Sequence, residues 1–468
     1  MKLGTVVVAG MILLCAVTAL TLPEKKDDSA SVDLRELEIY KNKLMYSEAI
    51  GKYKTIINNT EDPRERYALC IEMRDYCKDN GEDDSYAYAC RMAVQLDPSD
   101  TVSADGVLAS IESKQDMFSY VHSLMRSDGL TEEAYEHYSS YYDSIKGDHS
   151  LKSILAQDIG EWCDDSFAIA SVGGQSDAVI GVDGEELVGS SHGKIDSYSP
   201  GTGYIAAEDN GQKVYVNAKG RRKLVPYDYS NDQLVYYDYL GRFEGGLANF
   251  RAKDGTWGYL NTSLSERYSG LEGATPLSDG FFAAKSGGSW NVVYHGSSAD
   301  VTLFTCDELF LDGDRFISGT LADGTAKTRT CMVYAKNSGD PGWKLYSITV
   351  DLSEKEPKGS GAQAGQLSFD DVKLFGERVG AVKTAGAWGF VGRDGELITK
   401  MGTYQDARSM SCGMCAVMDS SGMWGYIDAN GRTTIEPQFE QANSLSSIGT
   451  ATVKTTDGWK LLTLDEYK

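Results

Sequence analysis

The sequence predicts a multidomain α + β protein: an N-terminal transmembrane or signal helix, a small α-hairpin module, and a C-terminal all-β repeat domain. Three observations predict it. Eighteen residues from Thr5 to Leu22 carry no charge and follow Lys2. From Ser31 to about Asp165, apolar residues recur at threes and fours, the period of a helix face. Beyond that, six of the seven tryptophans share one local context, with Asp-Gly and Asn-Gly dipeptides between strand-like runs.

The apolar run comes first. At ~1.5 Å per helical residue it spans ~27 Å, enough to cross a bilayer core. Pro23-Glu-Lys-Lys-Asp-Asp28 then ends it. Residues 5–22 therefore read as a membrane anchor, and a signal peptide cut after Val17-Thr18-Ala19 is the alternative. Residues 1–30 form this segment and a short linker. The expectation is a single-pass protein of the cell membrane with its bulk outside, or a secreted one after cleavage.

Composition narrows the partners. A chain of 468 residues exceeds one compact domain of usual size. Its net charge of −24 repels phosphate backbones, so nucleic acid is not expected as a partner. Gly is abundant (50) beside 9 Pro, and Tyr (28) outnumbers Phe (13), a balance that suits tight turns and β surfaces. Nine cysteines show no spacing that assigns pairs.

The helical module is expected over residues 31–165. Leu34, Leu37, Tyr40 and Leu44 share one face, and Ile50, Tyr53, Ile56 and Ile57 another. Asn58-Asn-Thr-Glu-Asp-Pro63 and Asn80-Gly-Glu-Asp-Asp84 break the pattern into hairpins. Tyr46-Ser-Glu-Ala49-Ile50-Gly-Lys-Tyr53 and Tyr88-Ala89-Cys-Arg-Met-Ala93-Val-Gln-Leu96-Asp97-Pro98 resemble parts of tetratricopeptide repeats. Small residues there let helices approach, and Pro98 cannot continue a helix. Tyr135, Tyr138, Tyr141 and Tyr142 read as packing residues before they read as a ligand face.

The repeat domain is expected over residues 166–468. The tryptophan contexts are Gly255-Thr-Trp257-Gly258-Tyr259, Ser289-Trp290, Gly342-Trp343, Gly386-Ala-Trp388-Gly389-Phe390, Gly422-Met-Trp424-Gly425-Tyr426 and Gly458-Trp459. Successive tryptophans lie 33, 53, 45, 36 and 35 residues apart. Ala178-Val-Ile-Gly181 and Lys213-Val214-Tyr-Val keep the pattern without Trp. Asn430-Gly431 supplies the positive φ angles of a hairpin turn, and equivalents recur at Gly184, Gly211, Gly255, Gly280, Gly313, Gly324, Gly395 and Gly458. On these units the sequence resembles the WG-repeat proteins, specifically around Trp257, Trp388 and Trp424 and with degeneracy elsewhere. The resemblance implies a β-repeat scaffold with no shared catalytic residues. Seven or eight units of ~40 residues fit a propeller-like ring or an open β solenoid. Glu354 to Gly365 reads as a linker-like insert near 354–366. Each Trp is expected to fill the interface between neighbours, and each following Gly to let another backbone pass close.

Chemistry is sparse in this reading. His122, His137, His149, His192 and His295 sit at no metal-ligand or triad spacing, and Asp312-Gly-Asp314 lacks the later ligands of a calcium loop. Cys412-Gly-Met-Cys415 is the one constellation to weigh. Cys415-Ala-Val417 aligns with the strands Leu247-Ala-Asn-Phe250 and Val379-Gly-Ala-Val382, which makes the cysteines structural in expectation, with a simple disulfide or a redox pair as the alternatives. No cofactor, metal or catalytic residue is assigned. The expectation is a non-enzymatic, anchored binding or scaffold protein that recognises protein, peptide or cell-envelope glycan. The alternative is an envelope hydrolase or thiol oxidoreductase with its site on the repeat face.

Overall fold

A computed structural model describes residues 28–464, apart from 126, 129, 146–148, 164–165, 174–175, 218–222, 229–232, 297–298, 318–319, 324–327 and 354–355. The apolar run 5–22 lies outside the described residues. Among those residues no helix is long and apolar enough to cross a membrane. The chain divides into two compact units, one ending at Ala93 and one beginning at Val94.

The first unit is helical: Asp28–Asn42, Tyr46–Asn59, Pro63–Asn80 and most of Asp83–Leu96. Asp62 accepts a hydrogen bond from the Arg64 N–H ahead of Pro63 at the first helical position, a strong start signal. Gly81, at φ 71°, ends the same helix in the left-handed conformation. Helix Asp83–Leu96 stops directly before Asp97-Pro98. Ala49, Tyr53, Ile57, Cys70, Met73, Cys77, Ala89 and Ala93 are fully buried between the helices. The Tyr53 hydroxyl donates to Glu72 Oε1 at 2.7 Å.

The second unit holds an eight-bladed β-propeller. Antiparallel sheets follow one another along the chain: blade one over residues 158–188, blade two 195–224, blade three 239–271, blade four 273–306 and blade five 308–364. Blade six spans 371–392 with three strands, blade seven 406–439, and blade eight 441–464. Blade eight takes its fourth strand from the other end of the domain, where His149–Ser153 pairs with Lys460–Leu464. Eight apolar clusters fill the eight blade-to-blade interfaces. The cluster joining blade eight to blade one holds Ile159, Trp162, Ala168, Ile180, Trp459 and Leu461. An open solenoid would leave that interface bare, so the ring is closed.

Turn chemistry explains the regularity. Eight of the nine glycines singled out in the sequence have positive φ, and Gly324 lies outside the described residues. Such turns let the chain reverse sharply within the blades.

Three features differ from the sequence reading. The compact units meet at 93/94, within the stretch read as one helical module, and Phe118, Val121, Leu124, Met125, Tyr135 and Tyr138 bury themselves in the cluster between blades seven and eight. The helices Thr101–Leu108, Lys114–Met125 and Glu132–Ile145 thus belong with the propeller. Between the last two, Ser127–Asp128 pairs in parallel with Ala322–Asp323 of blade five. Finally, the stretch expected as a linker-like insert contains strand Lys358–Ala364, paired with Tyr346–Asp351. Its glycines are tolerated at a sheet edge beside a bulge between Thr349 and Val350.

Candidate functional site

The tryptophans of the repeat occupy one place in the architecture. Trp257, Trp290, Trp388, Trp424 and Trp459 lie at the start of the third strand of their blades, and Trp343 directly precedes the third strand of blade five. Trp290, Trp388, Trp424 and Trp459 are buried, while Trp257 and Trp343 are half-buried. Basic side chains lie over four of these rings: Arg251 over Trp257, Lys336 over Trp343, Lys373 over Trp388 and Arg408 over Trp424. Each of these four rings thus meets a cation over its face.

The glycine after Trp has a reason in two blades. At Gly425 a Cβ would stand 2.5 Å from Ile435 O, and at Gly258 it would stand 2.2 Å from Tyr268 O. In both blades the fourth strand shifts register at this point, between Trp424 and Tyr426 and between Trp257 and Tyr259. The bulge pushes backbone into the space a side chain would fill. At Gly389 the nearest atom, Gly402 O, is 3.8 Å away. Trp290-Asn291 and Trp459-Lys460 lack the glycine, and their fourth strands pair there without a shift.

The tyrosine two residues after Trp locks one blade to the next, a role the sequence reading missed. Tyr259 donates its hydroxyl to Thr275 O at 2.9 Å in blade four, and Tyr426 to Asn443 O at 2.8 Å in blade eight. Tyr215 does the same to Gly241 O at 2.7 Å in blade three. Burial raises all three phenols well above their usual range, so they remain donors. The signal available in the sequence was the recurrence of Tyr at this repeat position.

At one end of the ring, the loops that follow the first strands meet across the centre. Arg315 of blade five donates to Trp162 O of blade one at 3.0 Å. These blades stand opposite one another in a ring of eight, so the contact spans its middle. Tyr239 of blade three donates to Asp314 Oδ2 at 2.7 Å. Arg408 of blade seven lies 3.1 Å from Glu161 of blade one. Asp312-Gly-Asp314 is accordingly a turn that reaches across the ring, with Gly313 at φ 65°.

The same loops carry a carboxylate latch. Glu244 of blade three accepts from the Asp279 N–H of blade four at 2.8 Å. Glu377 of blade six accepts from Cys412 N–H at 2.6 Å and Gly413 N–H at 3.2 Å in blade seven. Both turns have positive φ, at Asp279 and Gly280 and at Cys412 and Gly413. Near the second latch, His122 from helix Lys114–Met125 approaches, its Nδ1 2.6 Å from Glu377 Oε1 and 3.4 Å from Cys412 Sγ. No sequence spacing announces this trio, since 290 residues separate His122 from Cys412. His137 pairs with Asp105 at 2.7 Å and His295 with Asp300 at 2.6 Å, each away from this cluster in sequence.

The two cysteines of the Cys-x-x-Cys run part company. Cys415 is fully buried on strand Met414–Met418, in the cluster between blades six and seven. Burial raises its thiol well above the usual value, with the Glu377 and Asp428 charges adding to the shift. Cys412 enters the neighbouring cluster between blades seven and eight.

Comparison with known proteins agrees with the repeat. Residues 388–419 and 424–459 match the family model described as WG containing repeat. Comparison with curated protein sequences returns no match. Among solved structures, BamB from Moraxella catarrhalis is 12% identical at a TM-score of 0.36, covering 68% of this chain and 98% of that one. A eukaryotic initiation factor is 11% identical at 0.36, covering 67% and 87%. Hsv2 of Kluyveromyces lactis is 9% identical at 0.31, covering 56% and 89%. Likeness at this level carries no functional information. Residues 388–459 are WG-repeat sequence, set in blades six to eight of a closed eight-bladed propeller.

Proposed function

We propose that this chain is a binding or scaffold protein held at a membrane by residues 5–22, with the propeller presenting its loops outside the cell to a protein or peptide. A propeller with WG repeats fits such a role. The observation that carries the reading is the division of labour in the repeats. Strand residues, Trp rings and Tyr hydroxyls build the blade interfaces, while the loops after the first strands differ from blade to blade. Those loops offer mixed charge at one end of the ring, from Glu161 and Arg408 to Asp312, Asp314 and Arg315. Loops on a rigid ring are where recognition is built, and mixed charge suits a protein surface better than a polyanion. Burial of Cys415 weighs against thiol oxidoreductase chemistry, which needs an accessible, low-pKa thiolate.

The test uses the full chain in detergent as bait for extracts of the source cell, beside a variant carrying Tyr239→Ala and Arg408→Glu. A stoichiometric partner held by the first and lost by the second, with the variant still unfolding cooperatively, supports recognition at this end of the ring. Turnover of envelope substrates by the bait, with no partner retained, overturns the reading.

A further inference from the structure

We propose that His122, Glu377 and Cys412 form a binding site for one thiophilic divalent cation of the zinc type, cross-linking helix Lys114–Met125 to blades six and seven. The three potential ligand atoms, an imidazole nitrogen, a carboxylate oxygen and a sulfur, all lie within 4.8 Å of one another. Their residues are 5%, 7% and 0% exposed, so the donors converge out of contact with bulk water. This donor set matches the preference of zinc and its neighbours, and an oxygen-seeking ion would not take the sulfur.

The repeat itself separates what needs explaining from what does not. Glu377 gripping the positive-φ turn of the next blade is repeated by Glu244 and Asp279, so a carboxylate accepting from the first N–H of that turn is the ordinary latch. The repeat does not explain the other two groups. Cys412 holds φ 51°, a conformation that Asp279 tolerates better than a cysteine does. His122 arrives from outside the repeats. Both additions are metal-ligating types, and both bring their ligand atoms within 4.8 Å of the latch carboxylate.

One of the ligand spacings is already that of a loaded site. Around a four-coordinate ion with bonds of ~2.0–2.3 Å, neighbouring ligands stand ~3.3–3.6 Å apart. Sγ and Nδ1 already lie 3.4 Å apart, while Nδ1 and Oε1, at 2.6 Å, are joined by a proton that metal entry displaces. The thiol, now donating to Ser446 O at 2.8 Å, gives up its proton to become the thiolate ligand. The two Glu377 backbone contacts then act as the outer support that holds a ligating carboxylate.

The experiment is metal analysis of the untagged full chain, purified without chelators, followed by cobalt(II) titration. One equivalent of zinc per chain and a thiolate-to-cobalt charge-transfer band in the near ultraviolet are expected. Cys412→Ser, which keeps a donor for Ser446 O, abolishes the band, and His122→Gln weakens cobalt binding by at least about tenfold. Should either variant fail to fold, zinc-edge X-ray absorption of the unsubstituted protein decides, with one sulfur in the first coordination sphere expected. Absence of stoichiometric metal, a band that survives Cys412→Ser, or a zinc site with no sulfur or several overturns the proposal.

Discussion

Gly425 and Gly389 stand at the same place in the repeat, yet the structure gives them opposite tolerance for a side chain. Alanine at 425 would set its Cβ 2.5 Å from Ile435 O, 2.7 Å from Pro437 N and 3.0 Å from Glu436 C, all of them backbone. Strand Thr433–Phe439 must then retreat by about 0.9 Å to restore ordinary contact. That strains the pairing of Trp424 with Phe439 and of Tyr426 with Ile435. Overpacking at about 1–3 kcal/mol and one weakened buried hydrogen bond at about 1 kcal/mol place Gly425→Ala about 2–4 kcal/mol below the parent. Gly389→Ala meets nothing within 3.8 Å and is expected to be neutral, or stabilising by up to about 1 kcal/mol through the unfolded chain. A gap of about 2 kcal/mol is a roughly thirtyfold difference in folding equilibrium. Urea titration followed by tryptophan fluorescence measures it cleanly, because all seven tryptophans lie in the unit beginning at Val94. Gly258→Ala should fall with Gly425→Ala, since its Cβ would stand 2.4 Å from the Phe250 ring and 2.2 Å from Tyr268 O. Equal losses at 389 and 425 would refute the steric account and put the role of this glycine elsewhere.

Three further outcomes follow from the same contacts. Tyr426→Phe removes the bond to Asn443 O and is expected to lower stability by about 1–2 kcal/mol, read from the urea midpoint; an unchanged midpoint would mean the inter-blade bond is dispensable. Burial pushes the thiols of Cys70 and Cys77 to about 11 and of Cys306 to about 12, from 9.0 in the open. The native chain therefore keeps protons that the unfolded chain loses: this stabilisation is complete below pH 9 and fades as pH climbs towards 12. Melting temperatures that stay level from pH 8 to 11, or a Cys306→Ala variant that falls as steeply as the parent, would sink that account. Among the described cysteines Cys163 alone is not fully buried, so timed alkylation with peptide mapping should label it first and Cys415 only on unfolding. Early labelling of Cys415 would revive a redox role for the Cys-x-x-Cys run.

Much of the fold was legible because its signals are local. Asn430-Gly431 and its equivalents mark turns through backbone sterics that need no tertiary context, and eight of the nine glycines adopt the required φ. The repeat spacing gave the ring its approximate unit count, but closure depended on His149–Ser153, which lies in a stretch whose neighbours read as helical. Its pattern of one half-buried residue and four exposed ones carries almost no amphipathic signal. That the helices after Ala93 pack with the propeller was not legible for a related reason. Phe118, Val121 and Leu124 have ordinary helical spacing, and that spacing does not say whether the buried face meets another helix or a sheet. Lys358–Ala364 misled in the opposite direction, since a glycine-rich edge strand and a flexible linker share a composition.

The candidate site was not legible, and the architecture explains why. A propeller brings loops together around and across the ring, and a helix outside the repeats adds to them, so contacts form between residues 35, 153 or 290 apart with no fixed offset. The eight interfaces meanwhile stand on strand residues that recur from blade to blade, which leaves the loops free to change without loss of the ring. One latch shows the consequence. At Glu244 and Asp279 it joins blade three to blade four through one backbone N–H, with Arg242 beside the carboxylate. At Glu377 and Cys412 the same backbone geometry carries a thiol in place of a carboxylate and receives His122 from a helix outside the repeats. Chemistry in such a fold is therefore found by asking where one copy of a repeated contact departs from the others, because residues shared by every copy are already committed to packing.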